Sequence, residues 1–274
     1  MIMTVKLILS DIDGTILNDN NIVDSGLKES IERLKQKEIP FVLASARSPK
    51  GMLPIAQKLD VLDNPIACYN GALVIKDLKN ENYSTIFSHG LDNNEVEQIV
   101  KIIHDKYPKV SINLYTGADW YVEDTDKWVT IESEITEIDP IVTDVDKLVE
   151  KHQIPIHKIL LVSDSAEIDK VMNYLRDAVF PNSSFYLSKP NYLEITNSNV
   201  SKEKALRELA KAYELDLKDT MTIGDNFNDV PMLKLAGLGV AMQNAPVEVK
   251  KCANVVTDSN NQNGVSKAVE KYVL

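Results

Sequence analysis

Asp11 and Asp13 stand one residue apart at the end of an apolar run, in V-K-L-I-L-S-D-I-D-G-T (Val5–Thr15). Two carboxylates this close repel each other unless a cation lies between them. A hard, all-oxygen donor set suits Mg2+, which readily shares its shell with phosphate. A spacing of two puts both side chains on one face of an extended segment. Val5, Leu7, Ile8 and Leu9 in front of them fit a strand buried on both faces of a parallel sheet, and Gly14 lets the backbone turn. In open α/β sheets the carboxyl ends of the strands form the ligand crevice. The structural alternative is an Asx turn closing a strand. Three segments downstream favour chemistry.

The first is Ala44-Ser45-Ala46-Arg47, after the buried-strand pattern Phe41–Ala44. A serine before a helix is ordinarily an N-cap, so Ser45 gains interest only from its place beside Asp11. The second is Lys202, one residue after Ser201, which caps a helix. The macrodipole disfavours a cation there, so a lysine in that place hints at function. The third is Gly224-Asp225-Asn226-Phe227-Asn228-Asp229, between the strand pattern Thr220–Ile223 and a helix. A helix N-terminus offers free amides to anions, whereas a capped turn would use the same residue types.

In this order the segments resemble the four motifs of the haloacid-dehalogenase-like phosphohydrolases. The insert after Asn70-Gly71, together with Ala241–Ala245 and Asn263-Gly264-Val265, resembles the Cof-type branch with its large α/β cap. The resemblance implies a phosphatase for small phosphate monoesters, sugar phosphates or similar metabolites, with Mg2+ as cofactor. Asp11 would attack phosphorus and carry an aspartyl-phosphate, and Asp13 would act as acid and then base. Asp11, the Asp13 carbonyl, Asp225 and Asn226 would hold the metal. Ile12 (through its amide), Ser45, Ala46, Lys202 and Asn228 would surround the phosphate. Arg47 would hold its loop, and Asp229 would orient Lys202 or a metal-bound water. Two segments depart from the common pattern. Ala46 replaces a glycine, and Asn197-Ser198-Asn199 replaces a loop with Pro and Gly. A phosphomutase, or a non-catalytic phosphate-binding module of the same fold, is the alternative.

These residues need a frame. Strand and helix patterns alternate up to about Tyr83 and again from Tyr192, as a doubly wound parallel sheet requires. The expected fold is α/β, with a Rossmann-like core (1–82 and 191–274) and an inserted, smaller α+β cap (83–190). Within the insert, Asn93 to about Lys106 reads as an amphipathic helix, with Val96, Ile99, Val100 and Ile103 on one stripe. Val110, Ile112 and Leu114 alternate with polar residues like a strand covered on one face. Asp24 is placed to cap the first helix, through Leu27, Ile31 and Leu34. Tyr115, Trp120, Tyr121, His157 and Lys158 are the polar and aromatic residues through which a cap would meet its substrate, a small phosphorylated metabolite.

Composition narrows the partners. At 44% hydrophobic and 26% charged, the 274 residues can build a proper core. A net charge of −11 argues against nucleic acid. No apolar stretch reaches the ~18 residues of a membrane span, and the run in Met1–Leu9 is too short for a leader. Cys68 and Cys252 lack metal spacing and read as reduced core residues. A cytoplasmic protein is expected, and the sequence carries no signature of oligomeric state.

Overall fold

The computed structural model describes residues 4–79 and 82–274, so Met1–Met3 of the stretch weighed as a leader lie outside the described residues. Two compact units emerge. One comprises the chain up to Arg47, Met52–Phe87 and Ser201–Leu274, and the other Ser48–Gly51 and Ser88–Val200. In chain order the elements are β1 (Leu7–Asp11), α1 (Leu27–Gln36), β2 (Phe41–Ala44), α2 (Pro49–Leu59), β3 (Ile66–Cys68), β4 (Leu73–Lys79) and β5 (Asn82–Ser88). There follow α3 (Asn93–Lys106), β6 (Ser111–Thr116), β7 (Asp119–Val122), α4 (Lys127–Thr136), β8 (Ile141–Val142), α5 (Val145–Glu150), β9 (Lys158–Val162), α6 (Ser165–Asp177), β10 (Ser183–Lys189) and β11 (Tyr192–Asn197). The chain closes with α7 (Lys202–Ala212), β12 (Thr220–Gly224), α8 (Val230–Leu235), β13 (Leu238–Ala241), α9 (Val247–Lys250), β14 (Val255–Val256) and α10 (Gly264–Tyr272).

The first unit is built on an eight-stranded sheet in the order β14-β13-β12-β1-β2-β3-β4-β5. The strands from β14 to β3 run parallel, and β4 turns back antiparallel to β3. All five residues of β1 are buried, which fits the apolar Leu7, Ile8 and Leu9 that lead to its polar end at Ser10 and Asp11. Leu7, Leu9, Val42 and Ala44 pack against Ala205, Leu206 and Leu209 of α7. Truncating a side chain such as Leu9 to alanine costs roughly 2–5 kcal/mol in a core of this kind. Because the chain proceeds from β1 to β2 on one side and to β12 only much later on the other, β1 marks the topological switch point. Ligand crevices open there, at the carboxyl ends of the strands.

The second unit holds a six-stranded sheet, β10-β11-β9-β6-β7-β8. Ile112, Leu114, Ile159, Leu161, Leu193 and Ile195 point into one core, joined by Val96, Ile99 and Ile103 of α3 and Ile168, Val171 and Leu175 of α6. β6 is not half-covered as its alternation suggested, since all six of its residues are buried. Its polar positions are satisfied internally. Asn113 donates to the Leu160 carbonyl (3.0 Å) and accepts from Trp120 Nε1 (3.0 Å). Tyr115 stacks on Trp120 (5.9 Å between centroids), and Lys158 lies 4.6 Å from the Tyr115 ring and 3.5 Å from Glu194.

The boundaries differ from the expected 82/83 and 190/191. Asn82–Ser88 belongs to the first sheet as β5, and Tyr192–Asn197 belongs to the second as β11, between β9 and β10. A strand pattern does not by itself say which sheet the strand joins, and for Tyr192–Asn197 the antiparallel pairing to β10 and β9 decides it. Asp24 does not cap α1, whose N-cap position is Gly26. It accepts instead from Gly26 N, Ser266 N and Ser266 Oγ (3.0, 2.9 and 2.8 Å), tying the start of α1 to α10. Cys68 is buried as expected, while Cys252 is only half-buried. Among the described residues, no helix is long and apolar enough to cross a membrane.

Candidate active site

Asp11 is the last residue of β1, paired in register with Ala44 of β2, and is 6% exposed. Asp225 follows directly on the neighbouring strand β12. Lys202 opens α7 behind the N-cap Ser201, whose Oγ accepts from Lys204 N (3.1 Å). Its side chain is almost wholly enclosed, and the ammonium donates to Asp11 Oδ1 and to Asp229 Oδ1 (2.6 Å for the latter). The other oxygen of Asp229 accepts from the amides of Asp225 and Asn226, each at 3.0 Å. A Cβ at Gly224 would come within 2.5 Å of the Asp229 carboxyl carbon, so only glycine lets this carboxylate fold back over the strand end. Thr15 Oγ1 donates to Asp225 Oδ1 at 2.8 Å. Gly14, at φ +81°, passes so close that an added Cβ would lie 2.5 Å from Asp225 Oδ2.

Asp11, Asp225 and Asp229 each bring a carboxylate oxygen within 4.8 Å of the others. Three carboxylates thus crowd around one ammonium, which bonds Asp11 and Asp229. Burial, reinforced by the charges of Asp229 and Asp225, pushes the Asp11 carboxyl up to about 8 against the pull of Lys202. Asp225 is raised as well, chiefly by burial. Burial opposes the Lys202 charge, but Asp11 and Asp229 outweigh it and hold the ammonium above its ordinary value. Hard oxygen donors with excess negative charge fit a divalent metal ion. Asp11 and Asp225 have oxygens to offer it, whereas Asp229 has both of its oxygens committed.

Asp13 lies apart from this cluster. Its carboxylate is exposed and forked by Arg47, Nε to Oδ2 at 3.1 Å and Nη2 to Oδ1 at 2.6 Å. Ser45 Oγ donates to Asp13 Oδ2 at 3.4 Å and accepts from Arg47 N at 3.3 Å. Arg47 therefore holds the loop through Asp13. Ile12 is buried and Ala46 half-buried beside them. Asn226 and Asn228 are exposed at the rim. The Asn226 side chain accepts from Phe227 N (2.8 Å) in a capping box with Asp229, and Asn228 Nδ2 lies 3.4 Å from Asn70 Oδ1.

Asp11, Lys202, Asp225 and Asp229 thus form one contiguous group, and Asp13, Ser45 and Arg47 a second. The sequence reading assigned no role to Thr15 or Asn70. Thr15 was visible only as the last letter of D-G-T, and Asn70 sits in the left-handed region (φ 56°) beside Gly71, a sign of a built turn.

A parallel sheet with acidic residues at its switch point, a buried lysine bridging two of them and an inserted unit is the arrangement of the haloacid dehalogenase-like hydrolases. The model of that family matches residues 8–269, and the chain belongs to it. A Haemophilus influenzae protein, provisionally described as a phosphatase, is 33% identical over 270 residues, covering 98% of each chain. The 5-amino-6-(5-phospho-D-ribitylamino)uracil phosphatase YcsE of Bacillus subtilis is 26% identical over 98% of this chain and 96% of its own. A crystal structure of a haloacid dehalogenase-like hydrolase from Bacteroides thetaiotaomicron superposes with a TM-score of 0.85 at 30% identity, over 98% of this chain and 99% of that one.

Proposed function

We propose that the chain is a Mg2+-dependent phosphatase that hydrolyses small phosphate monoesters through an aspartyl-phosphate on Asp11. The observation that carries this reading is the buried Lys202 ammonium shared by Asp11 and Asp229 at the switch point. It keeps a carboxylate oriented and ionisable inside a site that burial would otherwise neutralise. In the first step an Asp11 oxygen bonds to phosphorus as the P–O bond to the alcohol breaks, and the Asp13 carboxyl protonates the departing oxygen. In the second step Asp13, now a carboxylate, takes a proton from water as that water attacks phosphorus. The P–O bond to Asp11 then breaks, and inorganic phosphate leaves. Asp11 and Asp225 would hold Mg2+, which would supply positive charge to the phosphoryl oxygens. Lys202 adds to that charge, and Ser45 Oγ and the amides at the strand ends are donors for the same oxygens.

The name of the Bacillus relative, a phosphatase of a phosphoribityl compound, supports a small phosphorylated metabolite as substrate. The cytoplasm, where such esters arise, is the compartment that goes with it. The test is phosphate release from an aryl phosphate, with Mg2+ and with chelator, by the native protein and by Asp11→Asn. Magnesium-dependent release that vanishes in the variant is expected. Equal release by Asp11→Asn would remove Asp11 as nucleophile and overturn the mechanism.

A further inference from the structure

The segment that follows Asp13 is held from the far end of the chain by three asparagine side chains. Asn244 Nδ2 donates to the Gly14 carbonyl at 2.8 Å, and its Oδ1 accepts from Asn260 N at 3.0 Å. Asn260 Nδ2 in turn donates to the Leu17 carbonyl (3.1 Å) and to Asp19 Oδ1 (3.2 Å). Asn261 Nδ2 donates to Asp19 Oδ2 (2.9 Å) and its Oδ1 accepts from Asp19 N (3.2 Å). Leu17 pairs with Asp13 on one side and Val23 on the other, and its amide reaches the Ile12 carbonyl at 2.9 Å.

This bracing matters because it holds Asp13 from its backbone side. Its side chain is 54% exposed and is held by Arg47 and Ser45 only through its carboxylate. Its backbone position depends on the next peptide. One flank of Gly14 lies against the Asp225 carboxylate, and its carbonyl is held by Asn244. Asn244 is itself exposed, a place where an asparagine is ordinarily interchangeable with other polar residues, yet both ends of its amide are engaged.

We infer that Asn244 is a positioning residue for the proton transfer carried by Asp13, an inference that rests on the phosphatase reading above. It acts through the Gly14 peptide and touches no substrate. Freeing that peptide lets the Asp13 carboxyl drift from the leaving oxygen, and a displacement of ~1 Å is enough to cost a large factor in rate.

The test separates protonation of the leaving group from general loss of structure. Asn244→Asp keeps the shape and the bond from Asn260 N but sets a carboxylate oxygen against the Gly14 carbonyl. kcat/KM, which reports the steps through departure of the alcohol and not the later hydrolysis at Asp11, is measured on 4-nitrophenyl phosphate, whose leaving group needs little proton assistance, and on glycerol phosphate, whose alkoxide needs it fully. Asn244→Asp is expected to lower kcat/KM for the alkyl ester by about tenfold or more while that for the aryl ester changes only a few-fold. An equal loss on both esters, or no loss on either, overturns the inference. Should Asn244→Asp not fold, Asn244→Ala is compared on the same two esters and read in the same way. If the native protein hydrolyses neither ester, the phosphatase reading fails and takes this inference with it, whereas an unchanged ratio in an active protein defeats the inference alone.

Discussion

Arg47 grips Asp13 with both prongs of its guanidinium, at 3.1 and 2.6 Å, while the aspartate two residues earlier is tied to a buried lysine. The two carboxylates of one short motif thus have opposite surroundings. The Arg47–Asp13 pair is 38% and 54% exposed, so its net worth to stability is at most about 1 kcal/mol. Arg47→Ala is expected to move the melting temperature by no more than about 2–4 °C while lowering turnover about tenfold through loss of Asp13 orientation. Arg47→Lys restores the charge without the fork and is expected to recover little of it. Calorimetry and phosphate release on the same samples check both. Full turnover in Arg47→Lys would show that charge alone suffices.

Lys202 poses the reverse case. Lys202→Met leaves Asp11 and Asp229 buried without their cation. Breaking a buried pair in this way costs roughly 3–5 kcal/mol, to be read from urea unfolding at neutral pH. Adding Asp11→Asn to Lys202→Met should recover part of the loss, and strict additivity would deny the coupling.

Metal binding should stabilise the fold by mass action. At a free Mg2+ concentration of 100 Kd the gain is about 2.7 kcal/mol, visible as a higher melting temperature that chelator reverses. Asp225→Asn should abolish that shift. Because Asp11 titrates near 8, a proton competes with the metal below that pH. The apparent affinity is therefore expected to climb with pH up to about 8 and then level off. A flat profile in titration calorimetry would count against Asp11 as a ligand.

His157, in the inserted unit, gives a stability signature of its own. The Gly117 amide donates to its Nδ1 (3.0 Å), so the ring carries its proton on Nε2, 3.0 Å from Ser88 Oγ. Burial lowers its pKa to about 4 from 6.5. The folded state then binds fewer protons than the unfolded one between these values, so stability rises with pH across that window. The contribution is full above about 6.5 and is lost as pH falls through about 4. His157→Gln should flatten that part of the acid limb, as followed by chemical denaturation between pH 4 and 7.

Much of the site was legible because its chemistry is written in residue types at strand ends. Asp11, Lys202, Asp225 and Asp229 each follow or open a regular element whose periodicity is strong, so their convergence followed from the topology. The bracing asparagines were not legible in the same way. Asn244 and Asn260 act through loop backbone, where no periodicity marks which carbonyl a side chain will meet. Within the insert, β7, β8 and α5 escaped the reading because they are short, and α4 because it buries Glu132 while leaving Ile131 and Ile135 exposed, which blurs its apolar stripe. Asp24 illustrates a different limit. Its type suits a helix cap, but the buried amide and hydroxyl of Ser266, supplied from α10, took its carboxylate instead.

The pairing of β1 with β12 also sets the order in which this protein can come into being. Leu7–Ser10 emerges from the ribosome early, yet its neighbour on one side, Thr220–Ile223, is made only after the whole insert. Until then the central strand keeps an open edge, a liability for mispairing, and Asp11 has neither Lys202 nor Asp225 beside it. The insert, with a hydrophobic core of its own, is complete before that edge is closed. Synthesis stopped anywhere before Gly224 therefore leaves no partly active hydrolase, because Asp225 and Asp229 are not yet part of the chain.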